Sequence, residues 1–164
     1  MVHNFFLVNK DIDSAFKYSN IMLEKFPDDI KLLLLKGQIL LGLNKYEDAL
    51  KVFDRIIILE ERNVAAYVLK ANTLILQNNF DDAIKVQSAL VELVPSDLKF
   101  RLRLAQFYYD NKEIQKAHTI LDTSSNSEKE SPLYARMKGK FAFIEKEYKT
   151  AVSYLEKSYA NYKS

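Results

Sequence analysis

The sequence predicts an all-α solenoid of antiparallel helix pairs, with about four full repeats following an N-terminal partial one. Three observations carry this expectation. Alanine recurs every 34 residues, at Ala15, Ala49, Ala83, Ala117 and Ala151, and a fixed period of this length marks stacked supersecondary units. A large apolar residue stands three positions before each alanine, at Ile12, Tyr46, Phe80, Ile114 and Tyr148. A second small-residue column, Gly37, Ala71, Ala105 and Gly139, keeps the same step, as do Pro27 and Pro95.

The partial repeat spans about residues 1–29, with only Met1 to Asn9 in place of a first helix; full repeats follow at 30–63, 64–97, 98–131 and 132–164. Asp11 and Asp13 stand where a helix should start, so capping and dipole compensation account for them. In the first halves of the repeats, Leu34, Leu35 and Leu41, then Val68, Leu69 and Ile75, recur at i, i+1 and i+7, which a helical period gathers onto one face. In the second halves, Tyr46, Ala49, Leu50 and Phe53 follow the i, i+3, i+4, i+7 stripe of an amphipathic helix. Between the halves, Asn44 and Asn78, with Asn79 beside it, tolerate left-handed backbone where the chain reverses. Helix starts are signed by Asp28-Asp29, Asn63, Ser96-Asp97 and Ser131 before Pro132.

The stretch 122–131, "DTSSNSEKES", is polar where the other second helices are still apolar. The fourth second helix is therefore expected to end early and be followed by a loop, the most mobile internal piece. Residues 1–164 read as one solenoid domain. The last helix offers Tyr148, Val152, Tyr154, Leu155, Tyr159 and Tyr162 with no further helix to cover them. Such an apolar end predicts a piece of a longer array, or a chain that pairs with itself through its repeat ends.

Composition narrows the function. With 48% hydrophobic and 28% charged residues, 164 residues can bury a sizeable core. The 24 Lys and Arg against 22 Asp and Glu leave a formal charge of +2, too little for a general attraction to nucleic acid or membrane. There is no cysteine, so neither a disulfide framework nor a thiolate metal site is available. His3 and His118 stand alone, and His118 is expected to be solvent-facing or partly packed on a second helix. Asp81-Asp82 again reads as capping, and Gly37, Gly42 and Gly139 fall inside helix patterns, leaving no phosphate-binding loop. A non-catalytic protein without metal or cofactor is expected. The apolar run 30–43 is interrupted by Lys31, Lys36 and Gln38, so it reads as a buried helix, and no membrane insertion is expected. Without a signal peptide in these residues, the cytoplasm is the favoured compartment.

On these residues the chain resembles the tetratricopeptide-repeat family over essentially its whole length: the small residues 37, 71, 105 and 139, the large residues 46, 80, 114 and 148, the alanines 15 to 151, and Pro27 and Pro95. The resemblance implies a right-handed superhelix in which small residues let helices approach closely and bulky ones fill the space left by the neighbouring unit. Departures are visible. The large residue usual early in the first helix is Leu33 and Tyr67 but then Arg101 and Ala135, and the leucine usual before the small residue is Lys36, Lys70 and Lys138.

The resemblance also implies that first helices line the concave side. The residues facing it fall in four columns: Lys31, Ala65, Lys99, Leu133; Leu34, Val68, Leu102, Arg136; Gln38, Asn72, Gln106, Lys140; and Leu41, Ile75, Tyr109, Phe143. Carboxamides in one column can hold the backbone of an extended peptide, and Lys31, Lys99, Arg103, Arg136 and Lys140 favour an acidic one, with Asp110 as the exception. The expected peptide-binding groove is thus Lys31, Gln38, Asn72, Lys99, Arg103, Gln106, Tyr109, Arg136, Lys140 and Phe143, with a separate end interface at Tyr148, Tyr154, Leu155, Tyr159 and Tyr162. Co-chaperone members of the family clamp a terminal carboxylate with Lys and Asn, Asn, then Lys and Arg. Lys99 and Arg103 match the last pair, but Leu34, Gln38 and Leu69 stand at the other three positions, which disfavours chaperone-tail binding. An assembly module joined through its ends is the alternative to a peptide adaptor. RNA reading by helical repeats is disfavoured by the weak net charge.

Overall fold

The computed structural model describes residues 12–160. Among them ten helices follow one another without a strand: α1 (Ile12–Lys25), α2 (Ile30–Gly42), α3 (Tyr46–Leu59), α4 (Val64–Leu76), α5 (Phe80–Leu93), α6 (Leu98–Asp110), α7 (Ile114–Asp122), α8 (Asn126–Lys129), α9 (Pro132–Ile144) and α10 (Tyr148–Ala160). The helices α2 and α3, α4 and α5, α6 and α7, and α9 and α10 pack as hairpins, making the fold an all-α array of antiparallel helix pairs. The chain forms two compact units, one through Leu93 and one from Val94. His3, Asp11, Tyr162 and the partial repeat at Met1 to Asn9 lie outside the described residues.

All five in-register alanines are buried, as are Gly37, Ala71, Ala105 and Gly139. In the first unit Ala49 and Ala66 share a core with Leu33, Leu40, Phe53 and Ile56. In the second, Ala105 and Ala117 share one with Leu102, Tyr109, Leu121, Tyr134 and Phe141. The small residues set how closely the helices approach. A methyl on Gly37 would collide with the Phe53 ring, which is fully buried and has nowhere to go. A methyl on Gly139 would come 2.8 Å from Leu155 Cγ and 3.3 Å from the Ala151 carbonyl oxygen; the Leu155 side chain is 41% exposed and can swing away, and the carbonyl has only to give slightly.

Each hairpin turns through three residues between its helices, and each turn holds one residue at positive φ: Asn44 (56°), Asn78 (57°), Lys112 (66°) and Lys146 (67°). The backbone closes the same way each time. Lys45 N–H donates to Leu40 O at 2.8 Å and Asn44 N–H to Leu41 O at 3.0 Å, and the equivalent pairs recur at Asn79 and Asn78, Glu113 and Lys112, and Glu147 and Lys146. This is the Schellman closure of a helix C-terminus. Asparagine announces it in the first two turns. Lysine in the last two gives no such signal, because a straight-chain side chain carries the left-handed penalty without the local hydrogen bonding that offsets it.

The expected N-caps are in place. Asp29 accepts from Leu32 N–H, Asn63 from Ala66 N–H, Asp97 from Lys99 N–H, and Ser131 from Leu133 N–H with Pro132 in the first turn. Asn79 also caps α5, its side chain accepting from Asp82 N–H.

The stretch after α7 differs from the expected loop. The helix does end early, at Asp122, but the serines then fold into the short helix α8. Ser125 and Glu128 form a reciprocal capping box, and Glu128 pairs with Arg101 of α6. Hydrogen bonding from Ser125, with Arg101 beside it, holds the Glu128 carboxyl below its ordinary pKa. Arg101 thus replaces a packing side chain with an ion pair. Two of the three lysines that depart from the family pattern, Lys70 and Lys138, are explained in the same way. Lys70 pairs with Asp54 at 2.5 Å and Lys138 with Asp122 at 3.0 Å, each carboxylate sixteen residues earlier on the preceding second helix.

Two stability predictions follow from these contacts. Gly37→Ala should cost about 1–3 kcal/mol through overpacking against Phe53, whereas Gly139→Ala should cost less than about 1 kcal/mol; urea unfolding of the two variants compares them directly. Lys112→Gly and Lys146→Gly should each add about 1 kcal/mol by relieving the left-handed backbone, seen as a higher denaturation midpoint at unchanged slope.

Candidate functional site

In the second unit, α6 and α9 border a cleft of about 490 Å³. The helical period puts Lys99, Leu102, Arg103 and Gln106 on one stripe of α6, and Leu133, Arg136, Met137 and Lys140 on one stripe of α9. Leu102, Phe107, Leu133 and Met137 supply its apolar surface, and Lys99, Arg103, Arg136 and Lys140 its charge. All four cations stand in i, i+4 pairs of like sign, an arrangement that weakens a helix by about 0.2–0.5 kcal/mol per pair.

Two of the cations are positioned by neighbours. The Arg103 guanidinium lies over the Phe107 ring at 5.5 Å. Burial lowers its pKa from the ordinary value, though the group remains charged. Lys140 Nζ donates to Gln106 Oε1 at 2.8 Å, and Gln106 Nε2 donates in turn to Asp110 Oδ1 at 2.6 Å. The Gln106 carboxamide, expected to face a peptide backbone, is therefore engaged inside the protein as the link between Asp110 and Lys140. Lys99 and Arg136 are exposed and make no ion pair among the described residues.

The other expected groove residues are placed differently. Lys31 and Gln38 are exposed on α2, and Asn72 is half-buried on α4, all in the first unit. Tyr109 is only 7% exposed and belongs to the core of the second unit, stacked on Phe141 at 4.1 Å between centroids. Phe143 is 60% exposed near the end of α9, edge-on to Tyr148 at 6.0 Å. At the proposed end interface, Tyr148, Leu155 and Tyr159 are exposed, while Tyr154 is half-buried under Lys157. Phe107 and Met137 complete the cleft and were absent from the expected set. Their signal was the i+4 step, Phe107 from Arg103 and Met137 from Leu133.

His118 is partly packed, with Nε2 2.8 Å from Glu145 Oε1 and its ring edge-on to Phe141. Among the described residues no group of three or more His, Cys, Asp and Glu side chains could hold a metal, and no helix is long and apolar enough to cross a membrane.

Comparison with known proteins gives a consistent picture. Two tetratricopeptide-repeat family models match, over residues 34–97 and 74–141, and together they run from 34 to 141. A TPR repeat-containing protein of Methanocaldococcus jannaschii is 41% identical over 51 residues, which span 31% of this chain and 16% of that protein. The crystal structure of MamA superposes with a TM-score of 0.78 at 16% identity, covering 99% of this chain and 95% of the other. MamA from Desulfovibrio magneticus RS-1 gives 0.77 at 21%, covering 97% and 90%. YrrB, described as a TPR protein with an unusual peptide-binding site, gives 0.67 at 13%, covering 95% and 80%. At these identities the likeness of the solved structures is one of fold.

The core under the cleft carries a pH signature. Burial, with smaller contributions from Tyr154 and Asp122, pushes the Tyr134 hydroxyl up to about 12. Burial, then the charge and hydrogen bond of Glu145, raises Tyr109 as well. The fold favours the neutral phenol, so the unfolded chain loses these protons first, near its ordinary value of about 10, and stability falls as pH rises from there toward 12. Native Tyr134 should therefore lose stability between about pH 9 and about pH 11.5, and Tyr134→Phe should lose less, as read from urea midpoints at each pH.

Proposed function

This chain belongs to the tetratricopeptide-repeat family, whose repeats serve as protein–protein interaction scaffolds, and from that premise we propose that its second unit holds a peptide segment of a partner protein between α6 and α9. The observation that carries the reading is the cleft itself, where an apolar surface from Leu102, Phe107, Leu133 and Met137 is edged by four cations. A pocket of this make-up takes apolar side chains and orients what they belong to through a few polar contacts. The likeness in fold to YrrB, with its peptide-binding site, supports the assignment. The role is non-catalytic binding. In the first unit Lys31, Gln38 and Asn72 are the proposed contact points for a bound chain.

A second reading is favoured by one observation. Val152, Leu155 and Tyr159 leave an exposed apolar strip along α10, fit for assembly through the last hairpin. Light scattering that finds only monomer at high concentration removes it.

The test of the peptide reading is affinity capture from the source lysate with the native chain and with Lys99→Glu, Arg136→Glu. Both side chains are exposed, so their reversal leaves the core intact. A partner bound at least tenfold less by the variant, at unchanged circular dichroism, is the expected result. Equal capture by both chains overturns the assignment to this cleft.

A further inference from the structure

We propose that the segment taken by the cleft between α6 and α9 is an internal acidic one, carrying carboxylate side chains at alternate positions beside an apolar anchor. This rests on the peptide-binding reading above. The charge argument comes first. Lys99, Arg103, Arg136 and Lys140 are gathered on two helices at one cleft, and no ion pair within the described residues neutralises Lys99 or Arg136. Asp110 accepts from Gln106, which in turn accepts from Lys140, so its charge bears on the Lys140 end of the cleft. At Lys99 and Arg136 the bound chain is the source of negative charge.

Spacing argues for side-chain carboxylates of an extended segment. Lys99 and Arg103 are four residues apart, as are Arg136 and Lys140, a rise of about 6 Å along each helix. Side chains at alternate positions of an extended chain recur about every 6.6 Å. A run of carboxylates at that interval meets each pair in register, whereas a single terminal carboxylate, which can accept from two cations at once, spans one pair. Preorganisation favours the same ligand: Arg103 is held over Phe107 and Lys140 by Gln106, so each loses less freedom on binding. The apolar surface admits the anchor. It favours a peptide over a nucleic acid, because three of its four members are aliphatic or thioether and the one aromatic, Phe107, is buried under Arg103 and offers no free face for base stacking.

The experiment is selection of short random segments, displayed with carrier sequence on both sides, against the full chain. Enriched segments are then synthesised with blocked termini, beside versions with every Glu and Asp replaced by Gln and Asn. The expected result is acidic segments with an apolar residue, losing at least tenfold in affinity when neutralised, when Lys99→Gln, Arg136→Gln is introduced, or when salt is raised from about 0.05 to about 0.5 M. Enriched segments whose neutral versions bind within twofold overturn the acidic assignment and leave peptide binding standing. Binding that requires a free terminal carboxylate, or that a short single-stranded RNA abolishes at equal concentration, overturns it too. If no segment is enriched over an unfolded control, the peptide reading itself fails, and this inference with it.

Discussion

The close approach of helices at one small residue each is the constraint on which the rest of the structure depends. Ala15, Ala49, Ala83, Ala117 and Ala151 on second helices, and Gly37, Ala71, Ala105 and Gly139 on first ones, are all buried. At Gly37 the space a Cβ needs is filled by the Phe53 ring. Small and large residues are therefore one device: the absence of a side chain on one helix is the seat of a large one on its partner. Repeated every 34 residues, that device fixes the rotation of each helix, and with it which stripe is left for the surface.

This is why so much of the fold was legible and why particular parts were not. Columns of alanine and of large apolar residues are a period, and a period survives without knowledge of any contact. Caps at Asp29, Asn63, Asp97 and Ser131 were equally legible, since each satisfies a helix's own first N–H groups. Lys112 and Lys146 were not, because their left-handed backbone is imposed by the Schellman closure of a packed hairpin and not by any preference of lysine. The stretch after Asp122 misleads for a related reason. Its serines read as a loop until Arg101, far away in sequence, supplies a partner for Glu128 and stabilises one turn of helix.

The cleft was legible as a stripe, whereas the partners its side chains take up inside the protein were not. Lys99, Arg103, Gln106, Arg136 and Lys140 lie together as their spacing implies. Tyr109 does not join them. It shares its column with residues nearer the surface, but the second unit's core has an aromatic, Phe141, for it to stack on, and a carboxylate, Glu145, for its hydroxyl. Gln106 is in position yet already bonded on both sides of its amide. Spacing predicts where a side chain emerges; whether it is free there depends on partners one repeat away, as Lys140 is from Gln106.

Charge makes the same point from the other direction. A net charge of +2 suggests a surface without electrostatic preference, but the sum conceals how the charges are arranged. Lys70 with Asp54, Lys138 with Asp122, Arg55 with Asp28 and Arg101 with Glu128 cancel locally. Pairs of that kind present little field a Debye length of about 8 Å away. The cations at the cleft have no such cancellation at Lys99 and Arg136, and they stand beside apolar surface, where a charge interacts more strongly once a ligand covers it than in bulk solvent. A nearly neutral chain can thus hold a strongly basic site. The net charge excludes a general attraction for polyanions, and the local arrangement selects for a ligand small enough to be met by one pair of helices.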